Sequence, residues 1–333
     1  MQRGAIGNGR SGGRATLLVM LGLIVSVALA ACGGSDGTTA SSSTSAGGGS
    51  EGDKKIFLEM PFPCALNEVI SEVCEGAEAA GEKLPAGYEL EVKTGKDIAD
   101  NVAFNNLIQT SLELDPVGLA VFPGGPAAQS PVLNDACSQG VALVAFSDVE
   151  GVDCLSAVVG ADNVALGANV GEWLVDNPPA SKEVAIVTQA PGQFASTDER
   201  VEGFEDTVKE AGFDVVATGI TDLALDKTRT QVSNIVTAHP DLGAVYSANG
   251  PIGEGTSQAL RGNDEIDQLT LDWVPSYAPK IEDGTLDAVG DPSAFEGGEL
   301  AIENLVKVIE GKTIPPEVHT KIVVVDKENV EQE

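Results

Sequence analysis

From Lys54 to the C-terminus, short apolar runs alternate with stretches of helical period, and this alternation limits the fold more than any single motif. Strand-like runs occupy 56–60, 90–92, 117–122, 141–146, 157–159, 184–188, 215–218, 244–246, 269–271, 288–289 and 322–325. Between them, Leu66, Val69, Ile70, Val73, Ala77 and Ala80 recur at steps of 3 and 4, as do Val201, Phe204, Val208 and Ala211. Such spacing marks one buried helix face. Asp226 reads as the N-cap of a helix carrying Val232 and Ile235, which His239-Pro240 ends. Strands that are apolar throughout and alternate with helices imply parallel sheets covered on both faces. Eleven strands are many for one open sheet, and 333 residues suggest about two domains. The predicted fold is therefore α/β, with two doubly wound parallel-sheet lobes. In such lobes ligands bind beyond the carboxyl ends of the strands. That rule selects Phe62, Phe122, 146–148, 190–194, 248–250, Asp272 and Trp273 as site candidates.

The first 53 residues read differently. Arg3, Arg10 and Arg14 precede an apolar run of about 15 residues, short of the ~20 that span a bilayer as a helix. A basic segment, a short apolar core and small residues form a secretory signal over 1–31. Leu29-Ala30-Ala31-Cys32 resembles a bacterial lipobox, which implies cleavage before Cys32 and lipid attachment to its sulfur; the alternative is an ordinary signal with a chance cysteine. Residues 32–53 then form a Gly/Ser/Thr tether without apolar periodicity. Cleavage removes three of the 19 basic residues and none of the 51 acidic ones, moving the formal charge from −32 to −35. A field of that sign repels phosphate and disfavours nucleic acid and anionic lipid as partners. Gly7 to Gly12 satisfies GxGxxG, but no strand precedes it.

Longer stretches carry a family resemblance. They are Thr237-Ala238-His239-Pro240-Asp241, Ala244-Val245-Tyr246-Ser247-Ala248-Asn249, Gly160-Ala161-Asp162-Asn163, Arg200-Val201-Glu202-Gly203-Phe204, and a final helix ending in Glu310-Gly311-Lys312. In this order and spacing, over about 55–327, the chain resembles the ribose-binding-protein-like sugar-binding group of type I periplasmic binding proteins, the solute receptors of ABC importers. The resemblance implies two lobes joined by three chain crossings, placed near Asp162, Asp291 and Pro315. The N-terminal lobe would comprise 54–162 and 292–315, and the C-terminal lobe 163–291 and 316–333. The lobes would close on a ligand, to be read by a membrane permease.

The resemblance also assigns ligand-binding roles. Asn67 matches an asparagine at the start of the first helix; its other reading is a helix cap. The Pro-Phe-Phe that usually follows is absent, which leaves Phe62 and Phe122 as stacking faces or as ordinary packing. Arg200 matches a ligand arginine whose fork of donors spans two oxygens; a salt bridge to Asp198 or Glu199 is the other reading. Asn249 and Asp272 match strand-end hydrogen-bonding residues, and Trp273 beside Asp272 is either a cleft stacking face or a surface residue. Asp148 stands where the family has Asp-Arg, and Asp291 stands on the hinge side. Glu59, Asp148, Asp272 and Asp291 together suit a polyol, an amino sugar or another cation, and argue against a phosphorylated or acidic sugar. An acidic chain places acids near any site, however.

Four cysteines besides Cys32 remain in an extracytoplasmic chain, where disulfides persist. Cys137 ends a helix and Cys154 precedes a strand, so they form the first candidate pair, with Cys64 and Cys74 as the complement. Roughly 10 Å of helix lies between Asn67 and Cys74, so the loop at Cys64 must fold back for that pair to form. Four reduced, buried thiols are the alternative. No CxxC occurs and the two histidines are 80 residues apart, so neither metal nor cofactor is expected. Gly311-Lys312-Thr313 lacks the upstream glycine of a phosphate-binding loop, and no GxSxG is present.

The resulting expectation is a monomeric, lipid-anchored, extracytoplasmic receptor. It would capture a monosaccharide or polyol between its lobes for an ABC permease, without catalysis. The alternatives are a receptor serving a chemoreceptor or sensor kinase, or an extracytoplasmic carbohydrate-active enzyme. A repressor is excluded by the secretion signal.

Overall fold

The computed structural model describes residues 54–97, 100–125 and 127–332. The signal segment, Cys32 and the tether lie outside the described residues.

The N-terminal sheet contains β1 (Lys54–Met60), β2 (Tyr88–Thr94), β3 (Gly118–Val121), β4 (Ala142–Ala145), β5 (Ala157–Gly160) and β11 (Glu317–His319), in the order β11-β5-β4-β3-β1-β2. The C-terminal sheet contains β6 (Glu183–Thr188), β7 (Asp214–Ile220), β8 (Leu242–Ser247), β9 (Asp267–Leu271), β10 (Ala288–Asp291) and β12 (Val323–Asp326), in the order β12-β10-β9-β8-β6-β7. All recorded pairings are parallel except β10 with β12. The two doubly wound lobes are thus present.

Each sheet is buried on both faces, which is why its strands read as unbroken apolar runs. On β1, Ile56, Leu58 and Met60 pack under α1 (Glu68–Gly81) and α9 (Ala294–Ile309). Phe57 turns to the other face, against Phe104 and Ile108 of α2 (Asn101–Leu112) and Leu133 of α3 (Ser130–Ser138). In the C-terminal lobe, Leu166 and Val170 of α4 (Asn163–Asp176) and Phe204 and Val208 of α5 (Ala195–Glu210) cover one face. Val232 of α6 (Leu225–Ala238) and Ile252 of α7 (Gly250–Leu260) cover the other. The short α8 (Ala278–Glu282) closes a smaller cluster with Ile281.

Two sequence expectations need correction here. The cap of α6 is Ala224; Asp226 lies inside the first turn and pairs with Arg229 at 3.2 Å. The third crossing follows β11, within 320–322, and not Pro315. The strand Glu317-Val318-His319 joins β5 as a sheet edge and carries one apolar residue, so no apolar run announces it. Thr320 ties the crossings together: its N–H donates to Gly160 O at 3.2 Å and its hydroxyl to Pro292 O at 2.7 Å.

Both cysteine pairs form disulfides, Cys64–Cys74 and Cys137–Cys154, with Cα atoms 6.0 and 6.1 Å apart. A single 3-10 turn over Cys64–Leu66, followed by extended Asn67, folds the loop back onto α1. Among the described residues no helix is long and apolar enough to cross a membrane.

Candidate functional site

The carboxyl ends of both sheets face a shared cleft whose two walls differ in chemistry. On the N-terminal side, Phe62 follows β1, Phe122 follows β3 and Phe146 follows β4. Phe62 packs edge-on against Phe122, with centroids 5.2 Å apart, and Phe122 stacks on Phe146 at 5.6 Å. Phe62 is buried behind this pair, while Phe122 and Phe146 line a cavity of about 360 Å³. Asp148 joins them there; the C-terminal lobe contributes Asn163, Phe194 and Glu199, and β11 contributes His319. His319 Nε2 lies 3.4 Å from Glu317 Oε2.

On the C-terminal side, close helix packing sets the position of Arg200. A Cβ on Gly167 would fall 2.0 Å from Arg200 O, and one on Gly203 would fall 2.0 Å from Val164 O. Without those side chains α4 and α5 approach backbone to backbone, bringing Arg200 beside the first residue of α4. Arg200 Nε donates to Asn163 Oδ1 at 2.9 Å, and its Nη1 lies 3.0 Å from Asp272 Oδ1. Asp272 Oδ2 accepts from the Gly250 N–H at 3.1 Å. Both charged side chains are 14% exposed, so the pair is largely shielded from solvent. Asp272 has φ 65°, a left-handed conformation unfavourable for a residue with a side chain. The Tyr246 hydroxyl, whose pKa is driven up by burial, donates to Arg200 O at 3.3 Å. Its ring stacks on Phe204 at 3.9 Å.

Asn249 caps α7: its Oδ1 accepts from Ile252 N at 3.1 Å, while its Nδ2 donates to Gln189 Oε1 at 3.1 Å. Gln189 is 4% exposed, and its Nε2 has no acceptor. Asn67 likewise caps α1 through Ile70 N at 2.9 Å, but it is exposed, so its amide donors remain open to solvent. Asn and Asp suit these strand-to-helix turns because their oxygens satisfy the first free N–H groups of the helix. The capping and binding readings of Asn67 and Asn249 therefore concern different atoms of one amide.

The hinge side is acidic. Asp291 Oδ1 accepts from Ser293 N at 2.7 Å. Burial raises the Glu72 carboxyl to about pKa 7, helped by the charges of Asp291, Glu75 and Glu68. At the far edge the Ser276 hydroxyl donates to Glu68 Oε2, linking α1 to the segment after β9. Burial also pushes up the pKa of Glu199, against a lowering hydrogen bond from Asn163.

The cavity thus joins Phe122 and Asp148, while Arg200, Asp272 and Asn249 form a neighbouring network on one lobe. Two candidates fall outside the cleft. Trp273 is 5% exposed and packs with Ile281, Leu286, Val289 and Val325, because side chains at a strand end alternate between faces and Asp272 takes the cleft face. Glu59 is fully buried on the face of β1 that carries Phe57. The partner of Arg200 is Asp272; Asp198 instead accepts from the Gly192 N–H at 2.7 Å. Sequence reasoning did not select Asn163, Glu199 or His319. Glu199 and Ser196 are three apart at the start of α5, a spacing that puts both on one face. His319 was hidden with its strand.

A family model described as periplasmic binding protein domain matches residues 62–313. The D-ribose/D-allose-binding protein of Pseudomonas aeruginosa is 24% identical over 256 residues, 74% of this chain and 80% of that protein. An ABC transporter periplasmic solute binding protein from Actinobacillus succinogenes, solved with D-allose, superposes with a TM-score of 0.76 at 21% identity, covering 84% of this chain and 100% of its own. An ABC transporter solute binding protein from Mycobacterium smegmatis, solved with glycerol, gives a TM-score of 0.73 at 26% identity over 84% of this chain and 96% of its own.

Proposed function

This chain belongs to the periplasmic binding protein domain family, type I, and from that premise we propose that it captures a small polyhydroxyl solute, a monosaccharide or polyol, in the cleft between its lobes and presents it to an ABC permease. It is a binding protein and not an enzyme, as its relatives are. Like its family it works outside the cytoplasm, and Cys32 is the proposed point of lipid attachment. The observation that carries the ligand class is one cavity of about 360 Å³ with aromatic rings on one side and a fixed polar network beside the other. Phe122 and Phe146 offer flat apolar faces to the C–H surface of a sugar ring. Asn163, Arg200, Asn249 and Asp272 supply donors and acceptors for hydroxyl groups, with Asp148 as a further acceptor. Asn67 and Asp291 take part from the edge and the hinge. Asp148, Glu199 and Glu317 line the cavity and, among the described residues, no Lys or Arg lines it, which disfavours an anionic solute. P. aeruginosa and M. smegmatis relatives named for, or solved with, ribose, allose or glycerol support the same class.

Calorimetric titration with D-ribose, D-allose, glycerol and a wider set of neutral sugars and polyols tests the reading, alongside mass spectrometry of solute co-purified with the chain. Saturable binding of one such compound is expected. Silence across the neutral set, with binding of an amino acid or an anion instead, would overturn it.

A further inference from the structure

We propose that Gln189 is a positioning residue for solute recognition: it holds the Asn249 side-chain amide in one orientation and acts on a solute only through that amide. This role rests on the cleft being a site for hydroxyl-bearing solutes. Strand register places the two residues together. β6 and β8 are neighbours in the C-terminal sheet, with Val187 opposite Ser247. Gln189 and Asn249 each lie two residues further on, at the same level beyond the carboxyl end of the sheet. Their side chains meet there, both buried, with Asn249 Nδ2 donating to Gln189 Oε1 at 3.1 Å.

The polarity of this contact is set by the backbone. The Ile252 N–H can only donate, so the Asn249 atom facing it is Oδ1, and the other end of that amide is nitrogen. A nitrogen donor needs an acceptor, so the Gln189 atom facing it is oxygen. The Thr197 hydroxyl donates to the same oxygen at 3.4 Å. Thr197 stands one turn before Arg200 on α5, so both share one face of that helix. Gln189 Oε1 thereby joins the helix that carries Arg200 to the cap of α7.

The arrangement has a cost. It leaves Gln189 Nε2 as a buried donor without an acceptor among the described residues, a penalty that methionine or leucine would avoid. Neither would supply the oxygen, and that oxygen is the one acceptor for the Asn249 amide among the described residues. Asn249 is thus held at both ends of its amide. Asn67, the corresponding cap of α1, is held at its oxygen only, since no described group accepts from its nitrogen. Gln189 occupies one N–H of Asn249 Nδ2 and leaves the second for a solute hydroxyl. An amide already fixed in place loses less freedom when a solute binds it.

The test reads Asn249 by side-chain amide NMR of the isotope-labelled full chain, and binding by titration with D-ribose and D-allose. Gln189→Met is expected to shift the Asn249 side-chain N–H resonances and speed their exchange with solvent, while the Ile252 N–H stays protected. Sugar binding should weaken about tenfold, the scale of one lost hydrogen bond. Asn249→Ser keeps a capping oxygen and removes the amide, so in that background Gln189→Met is expected to cost no further affinity. Gln189→Glu keeps an acceptor in place, and a stronger one. It is expected to move the Asn249 resonances downfield and to hold affinity within about threefold, and it decides the matter if Gln189→Met fails to fold. Unchanged Asn249 resonances in either variant would overturn the proposal. So would unchanged affinity in Gln189→Met, or a further loss of about tenfold from that change in the Asn249→Ser background. Silence of both sugars with the unaltered chain would count against the solute class, while the Asn249 resonances would still decide the role of Gln189.

Discussion

The two lobes share a topology and are stabilised by different means. Both described disulfides lie in the N-terminal lobe, whose cleft wall is a row of phenylalanine rings. The C-terminal lobe has no disulfide among the described residues, and its cleft wall is held by Arg200, Asp272, Asn163, Asn249 and Gln189. One wall offers surface that tolerates many ring shapes. The other offers fixed hydrogen-bond geometry, which rejects a solute that leaves a buried group unpaired. Under the proposed function selectivity would belong chiefly to the C-terminal lobe, while the covalent reinforcement among the described residues lies in the N-terminal lobe.

Reduction should break that contrast most strongly. Closing loops of 10 and 17 residues restricts the unfolded chain by about 3 kcal/mol each, so losing both crosslinks removes roughly 6 kcal/mol. Hydrogen-exchange mass spectrometry with and without a reductant should show β1, α1 and α3 losing protection well before β6 and β8. Equal loss in both lobes would show that they unfold as one unit.

Arg200→Ala attacks the opposite wall. It strips Asp272 of its shielded partner and Asn163 of a donor, a class of change that costs about 4 kcal/mol of stability. Affinity for the solute should fall on the order of 100-fold or more by calorimetry. Arg200→Lys should restore little of it, since one ammonium cannot reach Asn163 and Asp272 with the geometry of the fork. Affinity left intact in both variants would move selectivity to the aromatic wall.

How much of this was legible follows from what each residue contacts. The lobes were readable because strands buried on both faces leave unbroken apolar runs, as at Val184 to Val187. β11 was not, because an edge strand of Glu317, Val318 and His319 has no such run. Arg200, Asn249 and Asp272 were selected by motif and do converge on one wall. Their mutual pairing is set by the close contact of α4 with α5, which depends on two glycines far apart in the chain. Trp273 misled because adjacent strand-end residues face opposite ways, and only the packing of α8 shows which face is the cleft.

The lobes should also differ in response to pH. Glu59 is wholly buried in the N-terminal lobe, with neither oxygen in a well-formed hydrogen bond. Burial raises its carboxyl to about pKa 7, and Ser111 and Lys93 pull back only part of the shift. The folded state thus holds a proton that the unfolded state releases above about pH 4.5. The associated stability is full below that value, declines as pH rises, and is gone above about pH 7, an effect on the order of 3 kcal/mol. Glu59→Gln should flatten the pH dependence of N-terminal-lobe unfolding across this window. Asp267, raised to about 6 by burial and then by Asp287, is the counterpart in the C-terminal lobe, with a narrower window. A slope unchanged by Glu59→Gln would assign the effect elsewhere, Glu72 at the hinge being the next candidate.

The smallest effect is also the one that separates stacking from packing. Phe122 touches Phe62 and Phe146 on its own lobe and lines the cavity, so Phe122→Ala would confound a lost ligand face with a core defect. Phe122→Leu keeps most of the apolar volume and removes the flat ring, and such exchanges typically cost under ~1.5 kcal/mol of stability. If the ring stacks on the solute, affinity should fall about five- to tenfold, roughly 1 kcal/mol, for a sugar with an apolar ring face. An acyclic polyol such as glycerol, which has no such face, should lose almost nothing. Equal losses for both ligands would mean that Phe122 shapes the cavity without stacking. The aromatic wall would then serve as a rigid floor, leaving recognition to the C-terminal lobe.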